Sequence, residues 1–581
     1  MVDMKETAVA DSQLASEGKT AADAAEGADA ENAPIGRSSA TEREPITSEK
    51  FSFWLPEGVI VNPFDIVAVP QVNRPEQGPS RTYGLVTTLE HRTDAPSHLA
   101  NFISSDFGQL DGEANTNRQG TTVAAASVLS NTADIYMPVP SEQLVYFADP
   151  DDIQQALGTD SMLAERPEDA IPAGLIRMSN EAAAVAYLDR RYVLGPESAH
   201  VNISGISGLA TKTSYAMFLL QSILQTAKDK ERIAVIILNV KQADLLQVDR
   251  KGPELPPEQK EIWEAAGLEP KPFENVRYLL PRSTTPGQPN SYPPAPDIYA
   301  LYAYDLDGTA SKLDLLFSSV SDTSGTIEGI YGEVMSGIAG GDSEFKSVQS
   351  WEALLEFLRQ KQEASGRWRG MFAGSSIGMF RRQLRRIVQT RQSGIFVGGR
   401  SKNEKLLSEE LTNIKGGWTY VVDIAKLADE EQTLVFGDIL RTIYAVKAEE
   451  TEDRTEHSPV PDKVIIFVDE LNKYAPAGKE SPITQQVLDV AERGRSLGVI
   501  LISAQQFMSA VHPRVTGNSA TKVIGRTGSS EVNSPDYRFL DQEIRAAVTR
   551  LGKGELLVSH AVYRQPVKII FPRPAYKQEQ S

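Results

Sequence analysis

Two kinds of hydrophobic pattern divide the chain. Between residues 51 and 150, short β-rich runs are broken by Pro, Gly and Asn, which predicts a small barrel or sandwich. From about residue 190, continuous apolar runs such as Ile233–Leu238 alternate with helical patterns, as they do around buried parallel strands. The pattern therefore predicts an α/β core that follows a small β domain.

Changes in composition suggest where the domains begin and end. Residues 1–48 are rich in Ala, acidic residues and Ser and contain almost no aromatic residue, so we expect a disordered tail. The remaining boundaries follow the hydrophobic pattern. We expect a β-barrel and linker over 49–180, the first part of the core over 190–295, a helical insertion over 296–410, and the second part of the core over 411–575.

Composition excludes several classes of site. The chain of 581 residues has no cysteine, which excludes disulfides and thiolate zinc sites, and its six histidines lack the spacing of metal ligands. No run approaches the roughly 20 apolar residues that span a bilayer, so we expect a cytoplasmic protein without membrane contact. The net charge of −19 argues against a surface coated with nucleic-acid contacts but allows a ring with a basic pore.

The segment 200–220 has the order strand, glycine-bearing loop and apolar helix that binds phosphate. Small residues let main-chain N–H groups surround an anion, and a lysine neutralises its charge. The residues predicted to contact nucleotide are Gly205, Ser207, Gly208, Ala210, Thr211, Lys212, Thr213 and Ser214. Lys212 would reach the β- and γ-phosphates, and the Thr213 hydroxyl would hold Mg²⁺.

This loop departs from the motif G-x-x-x-x-G-K-[ST]. Thr211 stands where the motif has glycine, and the first glycine lies one position too far upstream. An ordinary strand-turn-helix connection with a solvated Lys212 is therefore the alternative interpretation. The loop alone leaves both open.

A second group of polar residues favours the nucleotide site. The apolar strand 464–468 runs directly into Asp469 and Glu470, which could hold the metal and polarise the attacking water. A further apolar strand at 499–503 leads to Gln506, an amide that could sense the γ-phosphate. Arg495 and Arg526 could stabilise the charge of the transition state.

Two further groups of polar residues are of interest. Asn239, Lys241 and Asp244 fall at the carboxyl end of the strand 233–238, where such sheets place ligand contacts. A basic patch in the helical region could bind a nucleic-acid backbone, or it could be a solvated helix face or a subunit contact. The patch comprises Arg367, Arg369, Arg381, Arg382, Arg385 and Arg386.

With these residues in view, the chain resembles the HerA/FtsK superfamily of ring-forming ATPases, and within it the HerA-type proteins. The resemblance covers about residues 51 to 575 and is carried by the order of GPESAHVNISGISGLATKTS, VIIFVDELNKYAP, GRSLGVILISAQQ and GELLVSHAVYRQPVKI. It implies a RecA-like P-loop core that hydrolyses ATP with Mg²⁺ and works as a homohexamer. It also implies translocation along double-stranded DNA, often with a nuclease partner.

The resemblance also implies roles for matched positions. Lys212 and Thr213 match the nucleotide-binding pair, Asp469 and Glu470 the metal-binding and catalytic acids, and Gln506 the sensor. Arg495 is the first choice for an arginine that acts on a neighbouring subunit's nucleotide. Its alternatives are Arg493 and Arg526.

Three hypotheses about function follow. The leading one is an ATP-driven DNA translocase, in which we expect Lys473 and Lys479 on loops that line the pore. The second is a motor of the conjugation or secretion type that moves another polymer. The third is a hexameric scaffold that binds nucleotide without hydrolysis and organises a partner effector or nuclease, for example in phage defence.

Overall fold

The computed structural model describes residues 33–73, 79–105, 107–108, 120–206, 212–320, 322, 324–390, 393–452 and 460–578. They form two compact units. The first comprises residues up to 164 together with 176–184 and 562–567, and the second comprises 165–175, 185–561 and the segment from 568 onward.

The first unit is built on a closed antiparallel barrel with the strand order β1-β2-β5-β4-β3-β6. Its strands are β1 (Gly36–Ser38), β2 (Lys50–Leu55), β3 (Ile66–Gln71), β4 (Ser80–Thr93), β5 (Gly120–Asn131) and β6 (Leu144–Phe147). Helices α1 (His98–Ser104), α2 (Pro150–Leu157) and α3 (Asp160–Glu165) accompany them. The predicted small β-barrel is therefore confirmed.

The barrel begins earlier than predicted. Strand β1 lies inside the segment that we expected to be a disordered tail, and its Arg37 pairs with Trp54 of β2. The sequence Gly-Arg-Ser has no β-branched or aromatic residue, so no propensity signals a strand there. Main-chain hydrogen bonds hold it instead, including the bond from Ser38 N to Gln143 O at 2.8 Å. Residues 1–32 of the predicted tail lie outside the described residues.

Aromatic residues of β2 fill the barrel. Phe51 and Phe53 alternate with outward residues along the strand and are almost completely buried. Gly84 of β4 makes room for the Phe51 ring, because a Cβ at position 84 would lie 2.6 Å from a ring carbon. A larger residue there would displace the ring.

The second unit is organised around one large sheet. Among the described residues it has 13 strands in the order β13-β12-β11-β14-β10-β15-β16-β9-β17-β18-β19-β7-β8. Its strands are β7 (Ala170–Arg177), β8 (Ala183–Asp189), β9 (Ala199–Ser204), β10 (Ile233–Asn239), β11 (Val276–Pro281), β12 (Tyr299–Tyr302), β13 (Glu404–Lys405), β14 (Thr419–Asp423), β15 (Lys463–Asp469), β16 (Val499–Gln505), β17 (Ser519–Ile524), β18 (Glu555–Ser559) and β19 (Val567–Ile570).

The strands of the segment β13-β12-β11-β14-β10-β15-β16-β9-β17 are parallel to one another, so their carboxyl ends share one edge of the sheet. Helices cover both faces. The first helices are α4 (Arg190–Val193), α5 (Lys212–Thr226) and α6 (Pro257–Ala265). The central ones are α7 (Leu306–Thr309), α8 (Leu313–Leu316), α9 (Thr326–Ala339), α10 (Trp351–Glu363), α11 (Gly374–Arg385) and α12 (Leu407–Thr412). The last are α13 (Asp429–Glu452), α14 (Pro482–Leu497), α15 (Pro513–Asn518), α16 (Ser529–Val532) and α17 (Gln542–Val548).

The central strands are buried on both sides. Ile236 of β10 and Ile466 of β15 belong to a core shared with helices α9 to α14. The intervening Val235 and Ile237 are equally inaccessible and face the other side of the sheet. This arrangement is the predicted RecA-like α/β core, and it explains why the strands read as unbroken apolar runs.

The helical insertion is confirmed, with one difference at its ends. Strands β12 and β13 lie within 296–410 and extend the parallel sheet. Inside the insertion, the rings of Phe317 and Phe380 stack at 4.6 Å. Two arginines of the basic patch form ion pairs within the chain: Arg369 contacts Glu333 and two further acids, and Arg386 contacts Glu430. These pairs favour an internal structural role for that part of the patch.

Candidate functional site

Polar residues end the central parallel strands at the shared carboxyl edge. This edge of an α/β sheet is where ligands bind, because the loops that follow the strands meet there. In sheet order, the last residues are Asp423 of β14, Asn239 of β10, Asp469 of β15, Gln505 of β16 and Ser204 of β9. The predicted nucleotide-site residues on β15 and after β9 therefore lie on neighbouring parts of one edge.

The beginning of the phosphate loop lies between two other loops. Gly205 has a φ of +151°, and a Cβ there would come within 3.1 Å of Gly525 Cα, so the position requires glycine. Gly205 N donates to Gln506 O at 3.3 Å, and Ile206 N donates to Arg526 O at 2.9 Å. Main-chain bonds thus join the loop to the segments that carry the predicted sensor and one predicted arginine.

Four of the predicted nucleotide contacts lie outside the described residues, namely Ser207, Gly208, Ala210 and Thr211. The described residues resume at Lys212, the first residue of α5. Lys212 is buried, and its Nζ donates to Gly205 O at 3.0 Å. Burial lowers the pKa of this ammonium, while the nearby Asp469 and Glu470 oppose that shift. Ser214, also predicted as a contact, is buried one residue beyond Thr213.

The structure brings Thr213 and Asp469 together from positions 256 residues apart. Thr213 Oγ1 lies 3.4 Å from Asp469 Oδ2, which places a hydroxyl and a carboxylate side by side at the start of α5. Oxygen ligands of these two kinds suit Mg²⁺, which takes most of its remaining ligands from water and phosphate. Among the described residues no group of three or more His, Asp or Glu side chains could hold a metal. The pair therefore fits a metal that arrives with a nucleotide.

Glu470 adopts an unusual backbone conformation directly after β15. Its φ of 57° and ψ of 48° are left-handed, a region that non-glycine residues seldom occupy. Its N–H donates to Asp469 Oδ1 at 3.0 Å. This turn ends the strand sharply and leaves the Glu470 carboxylate partly exposed, with 26% of the side chain accessible.

Lys241 contacts both acids, a pairing that sequence reasoning missed. Its Nζ lies 2.9 Å from Asp469 Oδ2 and 3.2 Å from Glu470 Oε1. Burial would lower the pKa of Lys241, but the attraction of the two carboxylates outweighs it, and the net shift is upward. The only signal in the sequence was the position of Lys241 just beyond a buried strand.

A buried polar group supports the turn that carries Lys241. Asp423 Oδ1 accepts from Asn239 Nδ2 at 2.8 Å, and its other oxygen accepts from Ser291 Oγ. Burial raises the pKa of Asp423, and these hydrogen bonds oppose the shift. Asn239 in turn accepts from Leu245 N at 3.2 Å and donates to Gln242 O at 2.7 Å, which fixes residues 239–245.

The two glutamines after β16 have different surroundings. Gln505 is fully buried, and its Nε2 donates to Asn202 Oδ1 at 2.8 Å, so it joins β16 to β9. Gln506 is half-buried and meets Gly205 through its main-chain carbonyl. Gln506 is therefore the amide that remains available as a sensor.

The predicted arginines lie at opposite edges of the sheet. Arg526 is exposed and follows β17 at the carboxyl edge, next to Ile206. Arg495 lies in the last turn of α14, where its Nη1 donates to Glu197 O at 2.6 Å. It lies beside Lys463, the first residue of β15, and hence at the amino edge. Arg495 does not reach the nucleotide site of its own chain. Arg493, the remaining alternative, is exposed on the same helix.

The two lysines expected to line a pore also differ. Lys473 Nζ donates to Asp429 Oδ1 and Gln432 Oε1, both at 2.6 Å, and is therefore engaged within the chain. Lys479 is exposed on the loop that follows. No helix in the described part of the chain is sufficiently long and apolar to cross a bilayer.

Comparison with known sequences gives one partial match. No protein-family model matches the chain. The chain is similar to the DNA double-strand break repair helicase HerA of Pyrococcus furiosus, with 22% identity over 186 residues that cover 27% of this chain and 33% of the relative. The match therefore spans about a third of that relative's length. It confirms the resemblance to the HerA/FtsK superfamily.

Comparison with solved structures gives partial overlaps. The bacterial conjugative coupling protein TrwB is 12% identical and has a TM-score of 0.44, covering 72% of this chain and 92% of that chain. VirB4 of Thermoanaerobacter pseudethanolicus is 15% identical, with a TM-score of 0.40 and coverage of 71% and 96%.

Proposed function

We propose that this chain is an ATP-hydrolysing motor of the HerA type that moves along double-stranded DNA as a homohexamer. The observation that carries the proposal is the approach of Thr213 Oγ1 to Asp469 Oδ2 at 3.4 Å, beside the buried Lys212. In P-loop nucleotidases a lysine neutralises phosphate charge, while a threonine or serine hydroxyl and an aspartate hold the Mg²⁺ that accompanies the nucleotide. The partial match to a DNA repair helicase supports DNA as the polymer.

The proposed roles follow from position. Lys212 neutralises phosphate charge, and Thr213 and Asp469 hold Mg²⁺, which supplies further charge neutralisation when bound. Glu470 accepts a hydrogen bond from the attacking water and orients it, since its carboxylate is partly exposed next to Asp469. Gln506 senses the γ-phosphate, and its main-chain carbonyl accepts a hydrogen bond from Gly205 at the start of the phosphate loop.

Completion of the site requires a second copy of the chain. Arg495 lies at the amino edge of its own sheet, so it can act only on the nucleotide of a neighbouring subunit. Arg526 lies beside its own phosphate loop and can act within its chain. A ring in which nucleotide lies between subunits accommodates both. Lys479 is exposed and is the better of the two lysine candidates for a contact with the DNA backbone.

The deciding experiment measures phosphate release by the purified protein with and without linear duplex DNA. We expect hydrolysis that duplex DNA stimulates. Glu470→Gln should reduce turnover by at least about 100-fold while retaining ATP binding, because only water activation is removed. The control Glu57→Gln removes an exposed carboxylate of the barrel unit and should leave turnover unchanged.

Three results would contradict the proposal in different ways. Wild-type turnover by Glu470→Gln would refute the assignment of the catalytic acid. Hydrolysis without any response to duplex DNA would indicate a motor for another polymer. ATP binding without phosphate release would indicate a scaffold for a partner effector or nuclease.

A further inference from the structure

The acid pair already has a cation within the chain. Lys241 Nζ contacts Asp469 Oδ2 at 2.9 Å and Glu470 Oε1 at 3.2 Å. Lys241 therefore forms ion pairs with both acids that the proposed reaction uses, although it follows a different strand. Lys473 differs from Lys241 in this respect, because its partners are Asp429 and Gln432.

One oxygen is shared between two competing uses. Asp469 Oδ2 accepts from both Thr213 Oγ1 and Lys241 Nζ, while Asp469 Oδ1 accepts from Glu470 N at 3.0 Å. A divalent cation held between Thr213 and Asp469 would bind the oxygen that now contacts the ammonium. An ammonium and a divalent cation at the same oxygen repel each other, so binding of either one weakens binding of the other.

The lysine side chain can leave while its backbone stays. The turn at 239–245 is fixed by hydrogen bonds of the Asn239 side chain to Gln242 O and Leu245 N. The side chain of Lys241 is 47% exposed, and a lysine has a flexible four-carbon stem that ends in a compact charge. Its ammonium can therefore leave the two carboxylates and contact the phosphate oxygens of a nucleotide bound at the same edge of the sheet.

We propose that Lys241 is a displaceable counter-ion that closes Asp469 and Glu470 to divalent cations until nucleotide phosphates draw its ammonium away. The inference rests on the proposed function, since it concerns the same site. Lys241 is thus a positioning residue, and uptake of Mg²⁺ depends on nucleotide. Free Mg²⁺ then does not occupy the site in the absence of nucleotide.

Binding of Mn²⁺ to the nucleotide-free protein, followed by electron paramagnetic resonance, tests this inference. Mn²⁺ prefers the same oxygen ligands as Mg²⁺. Lys241→Met keeps most of the length of the unbranched side chain and removes the ammonium. We expect this variant to bind Mn²⁺ at least about tenfold more tightly than the wild type, and Lys241→Arg to bind it as weakly as the wild type.

Two controls locate the effect. Lys271 also bridges two carboxylates, at 2.9 Å from Glu274 and 3.8 Å from Glu269, so Lys271→Met removes a comparable charge elsewhere. It should leave Mn²⁺ affinity unchanged. Adding Asp469→Asn to Lys241→Met should abolish the gain, because it replaces the shared carboxylate with a weaker, neutral ligand.

Equal Mn²⁺ affinity of the wild type and Lys241→Met would overturn the inference, as would a gain that survives Asp469→Asn. If Lys241→Met does not fold, tight Mn²⁺ binding by the wild type overturns the inference by itself. The proposed function fails by a separate result, namely no ATP binding by the wild type. If the wild type hydrolyses ATP but binds Mn²⁺ with the same affinity as Lys241→Met, only the role of Lys241 is refuted.

Discussion

Acid should destabilise the second unit through two buried histidines. His200 Nδ1 accepts from Leu501 N at 2.9 Å, and His560 Nε2 accepts from Asp189 N at 3.0 Å. Both side chains are almost inaccessible. Burial lowers the pKa of each to about 4 from 6.5, and for His560 it outweighs the attraction of Asp189. Protonation of either nitrogen that accepts would also break its hydrogen bond.

The sign of the effect follows from the direction of these pKa shifts. Between about pH 4 and pH 6.5 these histidines are protonated in the unfolded chain but largely neutral in the folded chain. The free energy of unfolding is therefore highest above this pH range and decreases as the pH falls through it. At about pH 5 each histidine lowers the free energy of unfolding by about 2 kcal/mol relative to its value above pH 6.5, and the two together lower it by about 4 kcal/mol. A typical folded domain has only about 5–15 kcal/mol to lose.

Urea unfolding at about pH 7.5 and pH 5 measures this cost. His200→Asn keeps an acceptor near Leu501 N and tolerates the positive φ of 73° at this position. His560→Gln keeps an acceptor for Asp189 N. Relative to the wild type, we expect each variant to gain about 2 kcal/mol on going from the higher to the lower pH.

The control is His91→Asn, which replaces an exposed histidine of the barrel unit and should not change the response to acid. The reasoning is refuted if His200→Asn and His560→Gln lose stability with falling pH as steeply as the wild type. That result would mean that the histidines are protonated in the folded chain.

Two further predictions concern the nucleotide site. Gly205→Ala should lower ATP affinity by at least about tenfold without unfolding the protein. The added Cβ would lie too close to Gly525, and alanine disfavours the positive φ of this position. Unchanged affinity in an equilibrium binding measurement would contradict this prediction. Mixing inactive Arg495→Ala and Glu470→Gln chains should restore about a quarter of wild-type turnover, since arginine and acid come from different subunits. The mixture of Arg526→Ala with Glu470→Gln should remain inactive if Arg526 acts within its own chain, and recovery there would assign it to the neighbouring subunit.

Buried strands were the part of the fold that sequence predicted best. The interior positions of β10 and β15, 233–238 and 464–468, are apolar throughout, because parallel strands covered on both faces have no solvated side. Strands such as β1 and β13 were missed because they contribute two or three residues each and are held by main-chain pairing. Their side chains carry no periodic signal that could have revealed them.

The candidate site was predictable in its parts but not in its pairings. Thr213 is predictable because it follows the lysine of a phosphate-loop pattern, and Asp469 because it ends a buried apolar strand. The contact of Lys241 with Asp469 joins residues 228 positions apart, and its partner depends on which strand lies next to β10. The left-handed backbone of Glu470 likewise follows from tertiary context rather than from the preference of glutamate.

The main-chain bonds of Gly205 and Ile206 to the carbonyl groups of residues 506 and 526 have an evolutionary consequence. Peptide groups are common to all amino acids, so these bonds survive most substitutions at positions 206, 506 and 526. Insertions or deletions beside them would break the alignment at once. These bonds therefore depend on the spacing of the three loops more than on the side chains at positions 206, 506 and 526.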